Sequence, residues 1–176
     1  SMVKKGLERT GYDEVSLTSL SSADFSDIEN VVSEVMTQDA CSPVSLSLPS
    51  LRVDAFTVGT ASQMQQARRT GLTFAPEAGT WRLRQVINKL ISDEDLFGAV
   101  ESAYSQGWRR VKLYFLIGLP TETDEDTLGI VRLAEKTLEI GRKYHKNPSV
   151  TVSVGGFVPK PDTPFQWFGQ NTEEEL

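Results

Sequence analysis

The sequence predicts an α/β protein built on a parallel sheet of about five strands. Three observations predict it. Segments of strand texture alternate with segments of helical period along the chain, and that alternation means βαβ units with right-handed crossovers. One strand segment, Arg110–Ile117, is almost continuously apolar, the texture of a strand covered on both faces. Each strand segment runs into a loop rich in small, hydroxyl, Gly or Pro residues. In parallel sheets such loops gather at the carboxyl ends of the strands, where ligands bind.

The elements follow in order. Residues 3–10 read as the tail of a helix closed by Gly11 at its C-cap. Residues 14–20 alternate apolar and hydroxyl side chains at period two, a strand signal. Phe25, Ile28, Val31, Val32, Val35 and Met36 then recur at helical spacing, and Pro43 ends that unit. Residues 44–48 form a second strand, residues 62–69 a helix stopped by Gly71, and residues 72–75 a third strand. A turn over residues 76–80 leads to a helix over 81–90, with Leu83, Val86, Ile87 and Leu90 on one face. Ser92 and the acids after it open the next helix, which ends at Gly107. Arg110–Ile117 is the fourth strand, and a long helix covers Asp124–Tyr144. Residues 150–154 are the last strand, followed by a loop over 155–164.

Composition bounds the function. With 176 residues, 39% of them hydrophobic, the chain can bury a core. The net charge of −6 argues against phosphate-backbone binding as the main activity, so nucleic acid is an improbable partner, open only for a longer parent protein. A single cysteine, Cys41, makes no internal disulfide and cannot alone hold a cluster or a structural zinc. A single histidine, His145, excludes a His-rich metal site and reads as a helix C-terminal cap. No apolar run approaches the roughly 20 residues of a membrane span, and no signal peptide is visible, so a cytoplasmic setting is expected.

Four loops carry a resemblance. Gly118-Leu119-Pro120-Thr121-Glu122-Thr123 resembles a G-[FL]-P-G-E-T motif, with Thr121 in the place of the glycine. Residues 157–165 resemble F-x-P-x-P-G-T-P, with Asp162 in the place of the glycine. Residues 74–80 resemble a G-[VI]-[EQ]-[SA] strand end, and Arg52-Val53-Asp54 resembles an R-x-D. In this order they are similar to the fifth, sixth, fourth and third strand ends of radical S-adenosylmethionine (SAM) enzymes, in the branch of methylthiotransferases and B12-binding relatives. The resemblance covers residues 14–166. It implies a partial TIM-like (β/α) barrel, an open curved sheet with helices on its convex face. The family's C-x3-C-x2-C cluster loop has no counterpart in this chain. The resemblance therefore implies strands two to six of such a barrel, preceded by a helix tail and tag remnant over residues 1–12 and followed by a tail over 167–176.

What the resemblance implies for function is a parent iron–sulfur enzyme. Its [4Fe–4S] cluster would cleave SAM to a 5′-deoxyadenosyl radical that abstracts hydrogen from an unknown substrate, while this chain alone would hold no cofactor and be inactive. Glu77 would bind the ribose hydroxyls, or else stand as a charge at a helix start. Ser19, Ser21 and Ser22 would receive the methionyl amino group, or form an N-cap cluster. Arg52 would pair with the methionyl carboxylate, or with Asp54 or Glu77. Gly118 and Pro120 would let the backbone pass close to adenine, and Phe157 and Val158 would frame it or belong to the core. Arg68, Arg69, Arg82, Arg84, Arg109, Arg110 and Lys112 concentrate the positive charge and read as solvated helix ends. Partners would be the rest of its own polypeptide and a second copy, paired along the edge at residues 14–20. The competing readings are a self-standing α/β nucleotide- or phosphate-binding module and a cluster-less protein-interaction domain.

Overall fold

The computed structural model describes residues 2–12, 14–16, 30–31, 45–47 and 72–176. Helix α1, Met2–Thr10, ends on Gly11 at φ 71°, whose amide bonds the Leu7 carbonyl. Only glycine takes that left-handed closure without strain. Two short strands, β1 (Glu14–Ser16) and β2 (Ser45–Ser47), pair in parallel. Then come β3 (Leu72–Glu77), α2 (Trp81–Val86), α3 (Asp93–Ser105), β4 (Arg110–Ile117), α4 (Asp124–Tyr144) and β5 (Ser149–Gly156). These last three strands form a parallel sheet in the order β3-β4-β5.

This corrects the expected fold. The chain is α/β and every described strand pair is parallel, but the sheet has three strands, not about five. The first two strands pair only with each other among the described residues, and there is no barrel. Strand texture predicted the strands; which neighbours they bond is not written in a local pattern. The expected helix over residues 62–69 lies outside the described residues.

Helices α3 and α4 cover one face of the sheet. Leu72, Phe74, Val111, Leu113 and Phe115 point from the strands into a core with Leu96, Val100, Tyr104, Ile130, Leu133 and Ile140. Val3, Val15 and Val31 pack against its margin. The other face of β4 carries Lys112, Tyr114 and Leu116, and Tyr114 is 41% exposed. The apolar run of β4 is thus covered by helices on one face, with an exposed tyrosine on the other.

Capping sets the helix starts. Ser92 and Asp95 form a reciprocal capping box on α3, behind three first-turn acids. On α4, the Asp126 carboxylate accepts bonds from the Thr123 amide at 2.9 Å and hydroxyl at 2.8 Å. The helix expected over 81–90 stops at Val86, because Asn88 turns left-handed at φ 57°. That turn leaves Leu90 65% exposed rather than on the buried face. Arg84, read from the sequence as a solvated helix end, is instead fully buried. It bonds the Ile91 carbonyl at 2.5 Å and pairs with Asp93, tying α2 to the start of α3.

Candidate functional site

Because β3, β4 and β5 are parallel, their carboxyl ends meet on one edge of the sheet. Glu77 ends β3 opposite Phe115, after a register slip that begins past Phe74. Pro76 sits inside the slip and has no amide to give the ladder. Glu77 itself is left-handed at φ 69°. Its carboxylate stands 3.7 Å from the Lys89 ammonium, each group about one-third exposed.

The loop after β4 turns at Gly118, φ 73°, whose amide donates to the Glu122 carboxylate. Burial pushes the Glu122 carboxyl up, against the lowering effect of that amide. Thr121 follows at φ 68°, and Asp162 in the loop after β5 has φ 60°. A β-branched residue there is strained by about 1–3 kcal/mol, whereas glycine is not. Thr121→Gly is therefore expected to raise stability by about 1 kcal/mol, with Thr121→Ala giving no comparable gain. Urea unfolding of the two variants measures the difference; equal midpoints would contradict it.

A latch holds the strained loop. Arg82 on α2 donates to the Thr121 carbonyl at 2.9 Å and pairs with Asp126. Thr80 also donates to Asp126, whose side chain is 2% exposed. Burial by itself would raise that carboxyl. The bonds from Thr80, Arg82 and Thr123 outweigh it and bring it down to about 2. Arg82 was read from the sequence as a solvated helix end. Half exposed, it nonetheless joins β3's loop to α4. Asp126 was visible only as a first-turn acid.

Among the described residues, two cavities open at the strand ends. One, about 430 Å³, is lined by Leu116, Gly156, Phe157, Val158, Lys160, Thr163 and Phe165. The Phe157 amide bonds the Ile117 carbonyl at 2.8 Å, and its ring meets Phe165 edge-on. The other, about 400 Å³, is more polar and lies between residues 118–124 and the segment around Phe168, Asn171 and Glu175. Phe157 and Val158 therefore line one cavity, Gly118 and Pro120 the other, and Glu77 lines neither. Leu176 lies between them: a Cβ on Gly118 would meet its Cδ2 at 2.8 Å, and a Cβ on Gly156 its Cδ1 at 3.2 Å. Ser19, Ser21, Ser22, Arg52 and Cys41 lie outside the described residues. Lys89 and Leu116 lie outside the motifs, and Lys160 and Phe165 stand inside residues 157–165 at positions the sequence does not single out as site residues. His145 caps α4, its Nε2 bonded to the Tyr104 carbonyl at 3.0 Å.

No helix among the described residues is long and apolar enough to cross a membrane. Among them, no group of three or more His, Cys, Asp or Glu side chains is arranged to hold a metal ion. No family model matches the chain. The chain is similar to an uncharacterized protein of Methanocaldococcus jannaschii, 40% identical over 123 residues. The match takes in 70% of this chain and 26% of that protein, so the chain spans about a quarter of its relative's length.

Proposed function

We propose that this chain supplies the nucleoside side of a SAM pocket in a radical SAM iron–sulfur enzyme of the cytoplasm. The observation that carries the reading is backbone geometry. Thr121 and Asp162 stand where the two loop motifs have glycine, and both are left-handed. A loop that keeps a glycine's conformation without the glycine has the motif's shape as well as its letters.

The residues fit part of the cofactor. The cavity around Leu116, Phe157 and Val158 offers apolar contact to an adenine face. Glu77, at the neighbouring strand end, offers a carboxylate that can accept two ribose hydroxyl bonds. The Lys89 ammonium beside it, 3.7 Å away, offers a second polar partner at this strand end. The cluster, when bound, supplies the electron that cleaves SAM reductively. One cysteine cannot provide its three thiolates, so its ligands belong to polypeptide beyond this chain.

The test is twofold. The coding region ahead of Val3 is expected to carry C-x3-C-x2-C. Its absence would overturn the enzyme reading in favour of a nucleotide-binding module. In the protein that carries the triad, Glu77→Ala is expected to weaken SAM binding about tenfold with iron content unchanged. Unchanged SAM affinity would overturn the ribose assignment.

A further inference from the structure

The face of the sheet turned away from α3 and α4 holds a cluster that the nucleoside reading does not use. On β4, Lys112 and Tyr114 are two residues apart and so share a face. The Lys112 ammonium donates to the Tyr114 hydroxyl at 2.8 Å and lies 4.4 Å from its ring centroid. Across the ladder, Ser153 on β5 stands opposite Tyr114, and Thr151 stands opposite Lys112. Thr73 on β3 faces Lys112 from the other side. The row is therefore one phenol, one ammonium and three hydroxyls on one face of the sheet.

We infer that Tyr114, with Lys112 and Ser153, is a proton-transfer site for a substrate that lies against this face and presents an acidic hydroxyl or its oxyanion. The chemistry follows from the neighbours. A phenol ordinarily ionises near 10. Here the Lys112 hydrogen bond comes first, then its charge, then the Ser153 hydroxyl, and together they lower the Tyr114 phenol. In one direction the phenolate takes the proton of a substrate hydroxyl: the substrate O–H bond breaks and leaves an oxyanion, and the phenol O–H bond forms. In the other direction the phenol returns that proton to the oxyanion, and the O–H electron pair stays behind as phenolate, held by the Lys112 ammonium and the Ser153 hydroxyl.

The position suits that role. Leu116, two residues further along the same face, lines the apolar cavity at the strand ends. Two residues of strand span about 6.6 Å, so one molecule can touch both the cavity wall and Tyr114. The site stands on the sheet's geometry and does not depend on what fills the cavity.

The chain provides its own control. Tyr12 is 72% exposed against 41% for Tyr114, and it lies on another segment. Acetylation by N-acetylimidazole near neutral pH, mapped by peptide mass spectrometry, measures phenolate reactivity at both. Accessibility alone favours Tyr12; the inference expects Tyr114 to react several-fold faster. Lys112→Met is expected to abolish that preference and leave the Tyr12 rate unchanged, and Ser153→Ala to reduce it in part. In parallel, the tyrosinate absorbance of the native chain minus that of Tyr114→Phe is expected to titrate below 10 and to move up in Lys112→Met. A Tyr12 rate equal to or above that of Tyr114 would overturn the inference. So would a preference, or a titration, that Lys112→Met leaves in place.

Discussion

Gly79→Ala is expected to lower the thermal midpoint by about 10 °C or to prevent folding. The loop after β3 and helix α4 touch backbone to backbone at this point. A Cβ on Gly79 would lie 2.1 Å from the Asp126 carbonyl oxygen, 2.5 Å from the Ile130 amide nitrogen and 2.8 Å from the Gly129 carbonyl carbon. None of these is a flexible side chain that can swing away. The reciprocal change, Gly129→Ala, meets the Gly79 oxygen at 2.5 Å and should behave alike. Relief requires parting the loop from the helix, which also pulls Thr80 and Arg82 from Asp126. Overpacking of this kind costs about 3 kcal/mol or more, and for a chain of this size each kcal/mol moves the midpoint by about 2–4 °C. Gly98→Ala is the control. Its Cβ meets nothing within 4 Å inside α3, so a gain of about 0.5–1 kcal/mol is expected. A Gly79→Ala midpoint within about 2 °C of the native one would sink the account of this contact.

Asp126→Ala is expected to cost about 3 kcal/mol, because it strips Thr80, Thr123 and Arg82 of one shared acceptor. The same carboxylate makes stability depend on acid. Its folded value of about 2 lies below the ordinary 3.8. The depressed value means the folded state holds the proton less tightly than the unfolded chain does. The stabilisation is therefore present above pH 4 and is lost as the pH falls from 4 through 2. Its size is about 2 kcal/mol. Urea unfolding between pH 2 and 6 measures it. Asp126→Asn, which removes the titrating group, should be less stable at pH 6 and show a shallower fall below pH 4. Parallel curves for the two proteins would mean that Asp126 is not the group responsible.

Much of the helical layer was legible in the residues. Ser92 followed by acids and Gly107 at φ 91° are local signals, and they mark where α3 begins and ends. The helix beginning at Trp81 was read too long because Val86 and Leu90 fit the helical period. Asn88 in the left-handed region breaks that period, and its identity alone does not announce the turn. The barrel was misjudged for a different reason. Five strand textures do not say which strands bond, and β2 and β3 are not partners among the described residues. In β4 the strand period puts Lys112 and Tyr114 on one face, but the Thr73, Thr151 and Ser153 hydroxyls opposite them appear only once the ladder is in register.

The site was legible to the extent that motifs carry it. Glu77, Gly118, Phe157 and Val158 stand at adjoining strand ends, as loops after parallel strands must. The latch of Arg82, Thr80 and Asp126 joins residues 44 and 46 positions apart. No sequence window spans that distance, so packing alone reveals it.

The most direct measurement of the central claim is a backbone NMR titration of this chain with 5′-methylthioadenosine, a nucleoside that needs no cluster. A few hydrogen bonds worth about 0.5–1.5 kcal/mol each must offset the entropy of association, so a dissociation constant on the order of millimolar is expected. The predicted result is saturable shifts at Glu77, Gly118, Gly156, Phe157 and Val158, with the Glu77→Ala variant binding more weakly. Shifts confined to other surfaces, or none at saturating nucleoside, would contradict a nucleoside pocket at these strand ends.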